Sequence, residues 1–311
     1  MPRHFLIDTD TASDDAVALV MAMRYPGLQI EAITIVAGNV PLDQAVQNAL
    51  YTIELCQGTV PVYGGMDAPL KRPLMTAQFV HGDDGMGDIG LPLSGRKPAD
   101  DHAVDVIIET IHQYPGELTL VTLGPLTNIA VAVQRDASIA DELKECVIMG
   151  GTGCGRGNIT PVGEYNFWAD PDAAKVVFES GMPLKMVGWD ISRTYAMFNP
   201  EDTHKLREIG TPLAKFCVDI QATLTEFAMN QSKLAGFDLP DAIAMSIALS
   251  PDIANETRSL YIAIESESDL GRGQSVVDHF GVLGKEPNVE VVLKASRELF
   301  WNMLIEAVQT I

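Results

Sequence analysis

Two hydrophobic periods alternate along the chain, and this alternation limits the fold more than any other feature of the sequence. Short apolar runs rich in β-branched residues predict strands at His4 to Ile7, Gln29 to Val36, Leu118 to Leu123, Cys146 to Met149, Leu184 to Val187, Leu260 to Ile264 and Val289 to Leu293. Segments of helical period predict helices at Asp14 to Arg24, Pro41 to Cys56, His102 to Tyr114, Leu126 to Asp136, Pro171 to Ser180, Thr211 to Met229, Asp241 to Leu249 and Ala295 to Val308. The pattern favours an α/β fold with a mostly parallel sheet and helices on both faces, in which sites form beyond the carboxyl ends of the strands.

The composition indicates one globular unit. The chain has 311 residues, of which 47% are hydrophobic and 20% charged, and no composition shift, repeat or low-complexity linker divides it. Proline, glycine and polar residues from Gly64 to Asp101 indicate a long loop excursion. The sequence therefore predicts a single domain over residues 1–311.

The charge balance excludes some partners. Lys and Arg total 21 against 42 Asp and Glu, a formal charge of −21, which disfavours binding to nucleic acid phosphates. There is no signal-peptide pattern and no apolar stretch of about 20 residues, so we expect a cytoplasmic protein without membrane attachment. Four cysteines without CxxC spacing predict reduced thiols rather than disulfides or a zinc site.

The stretch FLIDTDTASDDAVALVMA concentrates acids at one turn. A predicted strand ends near Ile7 and delivers Asp8 and Asp10 to its carboxyl end, and a helix begins near Asp14 and Asp15. A helix terminus stabilises a carboxylate by about 0.3–1 kcal/mol, too little to keep several acids ionised side by side. Carboxylates without Cys or His nearby favour Ca²⁺ or Mg²⁺.

The same acids allow three other interpretations. The acids could complement the helix dipole, with Thr11 or Ser13 as the N-cap, although this leaves Asp8 and Asp10 unexplained. An EF-hand loop fails, because Ser13 stands at the glycine position and Leu19 at the glutamate position. A haloacid-dehalogenase-type phosphatase would use Asp8 as nucleophile and Asp10 as general acid. That enzyme class also needs a later acidic pair and a lysine, and the sequence offers no convincing candidate for both.

Later segments place polar residues at comparable points. Asn39 follows the second strand in VAGN, and Leu123 ends a strand before the turn GPLTNIA. The glycines of MGGTGCGRGN match no nucleotide-binding register and favour a mobile loop. Asn158, Glu164 and Asn166 lie in GNITPVGEYNFWADPDAA. Asp241 begins an apolar helix in FDLPDAIAMS, where an N-cap is the ordinary interpretation.

Taken together, these motifs resemble the inosine-uridine nucleoside hydrolase family. The segments DTDTASDDAVAL, VAGN, LGPLTNIA, MGG, GNITPVGEYNFWADPDAA and PDAIA carry the resemblance, in the family's order, from residue 8 to about residue 245. The resemblance implies a single Rossmann-like α/β domain. It also implies hydrolysis of the N-glycosidic bond of ribonucleosides to base and ribose, with Ca²⁺ as cofactor and a homodimer or homotetramer as assembly.

The resemblance assigns a role to each matching position. The calcium ligands would be Asp10, Asp15, Asp241 and the carbonyl of Leu123, and Asp10 would also be the general base that activates the water. The ribose ligands would be Asp14, Asn39, Asn158, Glu164, Asn166 and Asp241. Asp8 would support these ligands without binding the metal or the sugar itself. The sugar would pass through an oxocarbenium-like transition state.

The chain departs from the family pattern at two positions, and the more important one is the position that activates the leaving base. Leu123 stands where threonine is common, which a backbone ligand tolerates. Pro240 stands where a histidine or tryptophan would activate the leaving base, and proline has no proton to give. His81 is the candidate for contacting the base instead, with a surface-loop histidine as the alternative. Met149 would lie under the sugar or base, with core packing as its alternative.

Aromatic residues and the base preference stay open at this stage. Phe79, Phe167, Trp168 and Phe237 could supply a stacking surface. Purine nucleosides are slightly favoured, because their bases can be activated by stacking or by solvent without a dedicated acid. A non-catalytic, calcium-dependent nucleoside binder is the remaining alternative, with Pro240 marking the loss of turnover.

Overall fold

The computed structural model describes residues 2–309, so both ends of the predicted domain, residues 1 and 311, lie outside the described residues. The strands are β1 (Arg3–Thr9), β2 (Leu28–Ile35), β3 (Val62–Gly64), β4 (Leu118–Thr122), β5 (Glu145–Met149), β6 (Leu184–Val187), β7 (Met197–Phe198), β8 (Phe237–Asp238), β9 (Ala254–Ile264), β10 (Ser275–Asp278) and β11 (Val289–Ala295). The helices are α1 (Ser13–Arg24), α2 (Leu42–Leu55), α3 (Gln78–His81), α4 (Ala103–Gln113), α5 (Thr127–Arg135), α6 (Ile139–Glu142), α7 (Tyr165–Ala169), α8 (Pro171–Phe178), α9 (Trp189–Tyr195), α10 (Pro200–Glu208), α11 (Pro212–Asp219), α12 (Ala222–Asn230), α13 (Pro240–Leu249) and α14 (Arg297–Gln309).

Nine of the described strands form one sheet in the order β10-β9-β11-β6-β5-β4-β1-β2-β3. Every neighbouring pair from β11 to β3 is parallel. β9 runs antiparallel to β11, and β10 runs antiparallel to β9. The predicted mostly parallel sheet is confirmed, and its antiparallel edge is an addition. Because β1 lies between β4 and β2, the acids that follow it emerge among the carboxyl ends of parallel neighbours.

Helices cover both faces of this sheet. Phe5 and Ile7 of β1 pack in one apolar cluster with α1, α2 and α13, whereas Leu6 packs in a second cluster with α4, α5 and α8. Alternate side chains of a strand point to opposite faces, so β1 is buried on both sides, as a central parallel strand must be. Helices on both faces, as predicted, are therefore confirmed.

The predicted helix over Thr211 to Met229 is wrong in one respect, because the chain breaks it into α11 and α12. Gln221, which is fully buried at the break, donates from Nε2 to the carbonyl of Ser13 at 2.8 Å. This long-range bond ties the start of α12 to the aspartate turn. The sequence pattern also missed four strands and five helices of the described chain: β3, β7, β8, β10, α3, α6, α7, α9 and α10. All of these except α9 and α10 have five residues or fewer, too few to display a period.

Three smaller predictions agree with the structure. The excursion from Gly64 to Asp101 contains only the short helix α3 and a bridge between Tyr63 and Ala99. All four cysteines are free, and only Cys154 is exposed. Across residues 2–309, no helix combines the length and the apolar character that crossing a bilayer requires.

Candidate active site

A cavity of about 360 Å³ lies beyond the carboxyl ends of the parallel strands. We call its polar side the floor, formed by Asp14, Asn39, Leu123, Met149, Glu164, Asn166 and Asp241. We call its apolar side the rim, formed by Phe79, Val80, Trp189, Leu224, Phe227, Ala228 and Leu234. His81, Asn158, Tyr165, Asp238 and Pro240 also line the cavity. Most residues that the sequence singled out therefore meet in one place.

Asp10 is fully buried and is enclosed by the glycines of two motifs. A Cβ atom on Gly38 would collide with its Oδ2, and a Cβ atom on Gly124 would lie 2.8 Å from its Oδ1. The backbone N–H of Asn39 donates to Oδ2 at 2.6 Å, whereas Oδ1 has no partner in the described protein. Burial, together with the negative charge of Asp15, raises the pKa of Asp10 well above its ordinary value.

Asp15 is the third residue of α1, and its side chain reaches back to the N-cap residue, Ala12. α1 begins after Ala12 without a side-chain cap, so the expected cap by Thr11 or Ser13 is wrong, although Asp14 and Asp15 do lie in the first turn of the helix. The Asp15 carboxylate instead accepts from the backbone N–H of Ala12 at 2.9 Å and from the hydroxyl of Thr9 at 2.6 Å. These two bonds orient the carboxylate. Burial raises the pKa of Asp15 to about 7.

Asp14, Asp15 and Asp241 form a buried acid trio, with one carboxylate oxygen of each within 4.8 Å of the others. Asp241 is the second residue of α13, behind Pro240, and Leu239 holds the N-cap position, so the ordinary N-cap interpretation of Asp241 is wrong. Burial raises the pKa of Asp14 to about 6 and that of Asp241 well above its usual range. The direct interaction between the two side chains lowers the pKa of Asp14 and raises that of Asp241, so Asp14 is the more acidic of the two.

The donor set fits a hard cation. Oδ1 of Asp10 and Oδ1 of Asp14 are buried oxygens without hydrogen-bond partners in the described protein. Buried carboxylates that repel one another and lack donors are costly unless a cation or protons neutralise them. Asp14, expected as a ribose ligand, belongs to the trio, and Asp10, expected as a metal ligand, interacts with all three members through charge.

The side of the floor next to β4 and β5 is built around Asn166. Its Nδ2 donates to the carbonyl of Leu123 at 2.7 Å and to the carbonyl of Met149 at 3.2 Å. Glu164 caps α7 and accepts from the backbone N–H groups of Gly151 at 2.8 Å and of Asn166 at 2.9 Å. Burial raises the pKa of Glu164 to about 7. Asn158, by contrast, lies exposed on the loop at the cavity mouth.

His81 ends the short helix α3 and is 7% exposed. Its Nδ1 lies 3.0 Å from the hydroxyl of Ser13 and 3.7 Å from Oδ1 of Asp14. Burial lowers the pKa of His81 to about 4, so the ring is neutral near pH 7. The surface-loop alternative for this histidine is therefore wrong.

The structure selects among the aromatic candidates. Phe79 lines the cavity, but Phe167 is buried against Gly150 and Gly151, and Trp168 packs under the guanidinium of Arg272. Phe237 lines a separate groove beside Phe198. Three aromatic residues that the sequence did not indicate, Tyr165, Trp189 and Phe227, line the cavity instead. No local pattern marks the last two, because α9 and α12 reach the cavity only in the tertiary structure.

Two buried amides hold the aspartate turn in place, and sequence reasoning missed both. Asn48 donates to the carbonyls of Thr11 and Asp84 at 2.9 Å each, and Gln221 donates to the carbonyl of Ser13.

Asp8 accepts from Thr34 at 2.7 Å and from Asn128 at 2.8 Å. Asn128 was a usable signal, since it stands in the GPLTNIA motif.

Comparisons with known proteins agree with this geometry. The inosine-uridine preferring nucleoside hydrolase family matches residues 5–302. A pyrimidine-specific ribonucleoside hydrolase, RihB of Escherichia coli O157:H7, is 37% identical over 308 residues, covering 99% of this chain and 97% of its own.

Solved structures of nucleoside hydrolases have the same fold. The plant nucleoside hydrolase PpNRh1 superposes with a TM-score of 0.94 at 29% identity, covering 100% of both chains. A purine-preferring ribonucleoside hydrolase from Gardnerella vaginalis gives a TM-score of 0.90 at 30% identity, covering 99% of this chain and 98% of its own. With its whole-length match, its sheet order and its acid-lined cavity, this chain belongs to the inosine-uridine preferring nucleoside hydrolase family.

Proposed function

We propose that the cavity hydrolyses the N-glycosidic bond of ribonucleosides with the help of one bound Ca²⁺ ion, and that purine nucleosides are its better substrates. One observation carries the metal-dependent part of this proposal. Four buried acids, Asp10, Asp14, Asp15 and Asp241, converge under the cavity, and two of them have oxygens without partners. Family membership supplies the reaction class.

The carboxylates of Asp10, Asp15 and Asp241 and the carbonyl of Leu123 would hold the ion. All are oxygen ligands, which calcium prefers and zinc does not. When bound, the ion would bind ribose hydroxyls and lower the pKa of water. Asn166 supports the proposal, because its bond at 2.7 Å fixes the orientation of the Leu123 carbonyl.

Asp10 is the proposed general base. Its Oδ2 is fixed by the Asn39 N–H, which leaves the unpartnered Oδ1 to accept a proton. A general base contributes typically 10²–10⁴-fold to a rate. The surrounding carboxylates would stabilise the positive charge that develops on the sugar.

The proposed ribose ligands are five floor residues and one residue at the cavity mouth, with Met149 under the sugar: Asp14, Asn39, Glu164, Asn166, Asp241 and, at the mouth, Asn158. Buried polar groups that need hydroxyl partners would reject deoxyribose, because a missing hydroxyl leaves them unpaired. The acidity of the floor would also disfavour nucleotides, whose phosphates are repelled.

The base would lie against the rim. Phe79, Trp189 and Phe227 offer aromatic surface for a purine, and His81 stands between the rim and Asp14. Pro240 offers no proton, so activation of the leaving base falls to stacking and to contacts such as His81. The relatives differ in preference, since one is named pyrimidine-specific and another purine-preferring, so the preference is a proposal about this chain alone.

The two alternative functions, a phosphatase and a non-catalytic nucleoside binder, differ in their support. The whole-chain match to nucleoside hydrolases leaves the haloacid-dehalogenase-type phosphatase without support. A non-catalytic binder would give binding without base release, which makes it an outcome of the test below. A cytoplasmic location and a homodimer or homotetramer stay predictions.

The test is release of base and ribose from inosine, guanosine, adenosine, uridine and cytidine, with and without a calcium chelator. Asp10→Ala should abolish release. The matched control is Asp105→Asn, which changes an aspartate that pairs with Arg135 at the surface at 2.8 Å. Release that survives both the chelator and Asp10→Ala would contradict the mechanism. Calcium-dependent binding without any release would support the binder.

A further inference from the structure

Asp238 is a carboxylate in the cavity wall. The function proposed above does not use it to bind the metal, the base or the ribose. It projects from β8, lines the cavity beside Trp189 and Pro240, and its side chain is 11% exposed. The rim around it is apolar and aromatic. A carboxylate in such a wall is expensive to bury, and this one also lies close enough to Asp14 for the two charges to interact, so its hydrogen bonds and charge partners decide what it can do.

Helix α9 holds this carboxylate in place. The hydroxyl of Ser192 donates to its Oδ2 at 2.6 Å, and a terminal nitrogen of Arg193 lies 3.5 Å from its Oδ1. The Arg193 guanidinium also lies over the indole of Trp189, 5.3 Å from the ring centroid. One helix therefore presents an aromatic face and orients an acceptor next to it.

The carboxylate retains free acceptor capacity. Each carboxylate oxygen can accept about two hydrogen bonds, and each one here has a single partner. Burial raises the pKa of Asp238, whereas the Ser192 hydroxyl and the Arg193 charge oppose that rise. Ionised, the group accepts hydrogen bonds and cannot donate them.

We propose that Asp238 selects the base by its ring nitrogen, accepting a hydrogen bond from bases whose edge nitrogen carries a hydrogen. Hypoxanthine, guanine and uracil offer such an N–H. Adenine and cytosine offer a lone pair at the corresponding nitrogen, which faces a carboxylate unfavourably. Guanine adds a second, adjacent donor that suits the two oxygens. Ser192 and Arg193 are positioning residues for this contact. The inference rests on the proposed nucleoside hydrolase function.

The experiment compares kcat/KM within two substrate pairs, inosine with adenosine and uridine with cytidine. We expect the wild-type protein to favour the N–H member of each pair that it turns over by about 10- to 100-fold, the range of a hydrogen bond to a charged group. In Asp238→Asn the side-chain amide can donate to a lone pair, so the preference should shrink tenfold or more. Asp105→Asn should leave both ratios unchanged, because Asp105 lies on the surface.

A substrate series and a second variant keep the test decisive if Asp238→Asn does not fold. 1-Methylinosine and 3-methyluridine lack the donor, and the wild-type protein should cleave them at least tenfold less well than the parent nucleosides. Arg193→Met removes the charge that orients the carboxylate and should shrink the pair ratios without abolishing turnover.

The possible outcomes distinguish a failure of the Asp238 inference from a failure of the proposed hydrolase function on which it rests. No turnover of any nucleoside would overturn the proposed function. Turnover without a preference within the pairs would overturn the role of Asp238 alone. An equal loss on both members of a pair in Asp238→Asn would show that Asp238 is merely structural and would likewise overturn it.

Discussion

His81 beside Asp14 and His112 beside Asp136 are the same pair of residue types in two settings. His81 is buried, and its pKa is lowered to about 4, while the pKa of Asp14 is raised to about 6. His112 is exposed, and its hydrogen bonds to Glu142 and Asp136 raise its pKa. The Ser138 hydroxyl, and after it His112, lower the pKa of Asp136 to about 2. Burial, not residue type, therefore decides which pair ionises.

The difference in burial distinguishes a surface ion pair from a cluster that can bind a ligand or take part in catalysis. The surface pair is satisfied by its own opposite charges in contact with water, and such pairs contribute little to stability. The buried acids have too few hydrogen-bond donors and are removed from water, so they need a cation or protons to neutralise their charge. That unmet requirement is what makes the buried cluster a candidate for binding and catalysis.

The strongest test of this contrast is the same substitution in both clusters. Asp10→Asn should lower kcat by about 10²- to 10⁴-fold, because an amide cannot accept the proton of the attacking water. Steady-state kinetics on the best nucleoside measures it, with circular dichroism to verify folding. Asp136→Asn should stay within about twofold of the wild-type rate. A loss below tenfold in Asp10→Asn would remove Asp10 as the base.

Crowding around Asp10 gives the next largest effect. Gly124→Ala would place a Cβ atom 2.8 Å from Oδ1 of Asp10, and displacing a catalytic group by about 1 Å can cost about 100-fold in rate. Gly64→Ala is the matched control, since its nearest atoms lie 3.9–4.0 Å away. Equal kinetics for the two variants would show that the Asp10 carboxylate tolerates displacement.

Metal removal tests the buried cluster through stability. A ligand at one hundred times its Kd stabilises the folded state by about 2.7 kcal/mol, so a chelator should lower Tm by about 5 °C and added calcium should restore it. Scanning calorimetry measures this response. Asp15→Asn should weaken the calcium response strongly, whereas Asp136→Asn should keep it in full. A wild-type Tm indifferent to calcium would argue against the metal site.

The smallest effect belongs to the exposed cluster. A raised folded-state pKa means that His112 contributes stability below its unfolded pKa of about 6.5, and that this contribution disappears as pH rises through the folded value. The Tm advantage of the wild type over His112→Gln should therefore be small at pH 5.5 and vanish at pH 9. An advantage that grows with pH would have the wrong sign, and nucleoside hydrolysis at pH 7 should be the same in both proteins.

Some of the fold and the site was predictable because the signals are local. Asp8, Asp10, Asp14 and Asp15 lie within one strand, turn and helix, so their convergence follows from strand polarity. Residues such as Trp189, Phe227 and Asp238 were not predictable, because they belong to short elements whose approach to the cavity depends on packing far along the chain. The bond from Gln221 to the carbonyl of Ser13 was likewise not predictable, because the two residues lie 208 positions apart in the sequence.

The sequence by itself determined the alternation of strands and helices, the family, and the acids at the end of β1, since each depends on neighbours along the chain. The tertiary structure decided that Asp241 meets Asp14 and Asp15, through the packing of α13 on α1. It also decided their ionisation, because a pKa depends on how far a group is removed from water and on which charges surround it. Spacing along a chain encodes neither quantity.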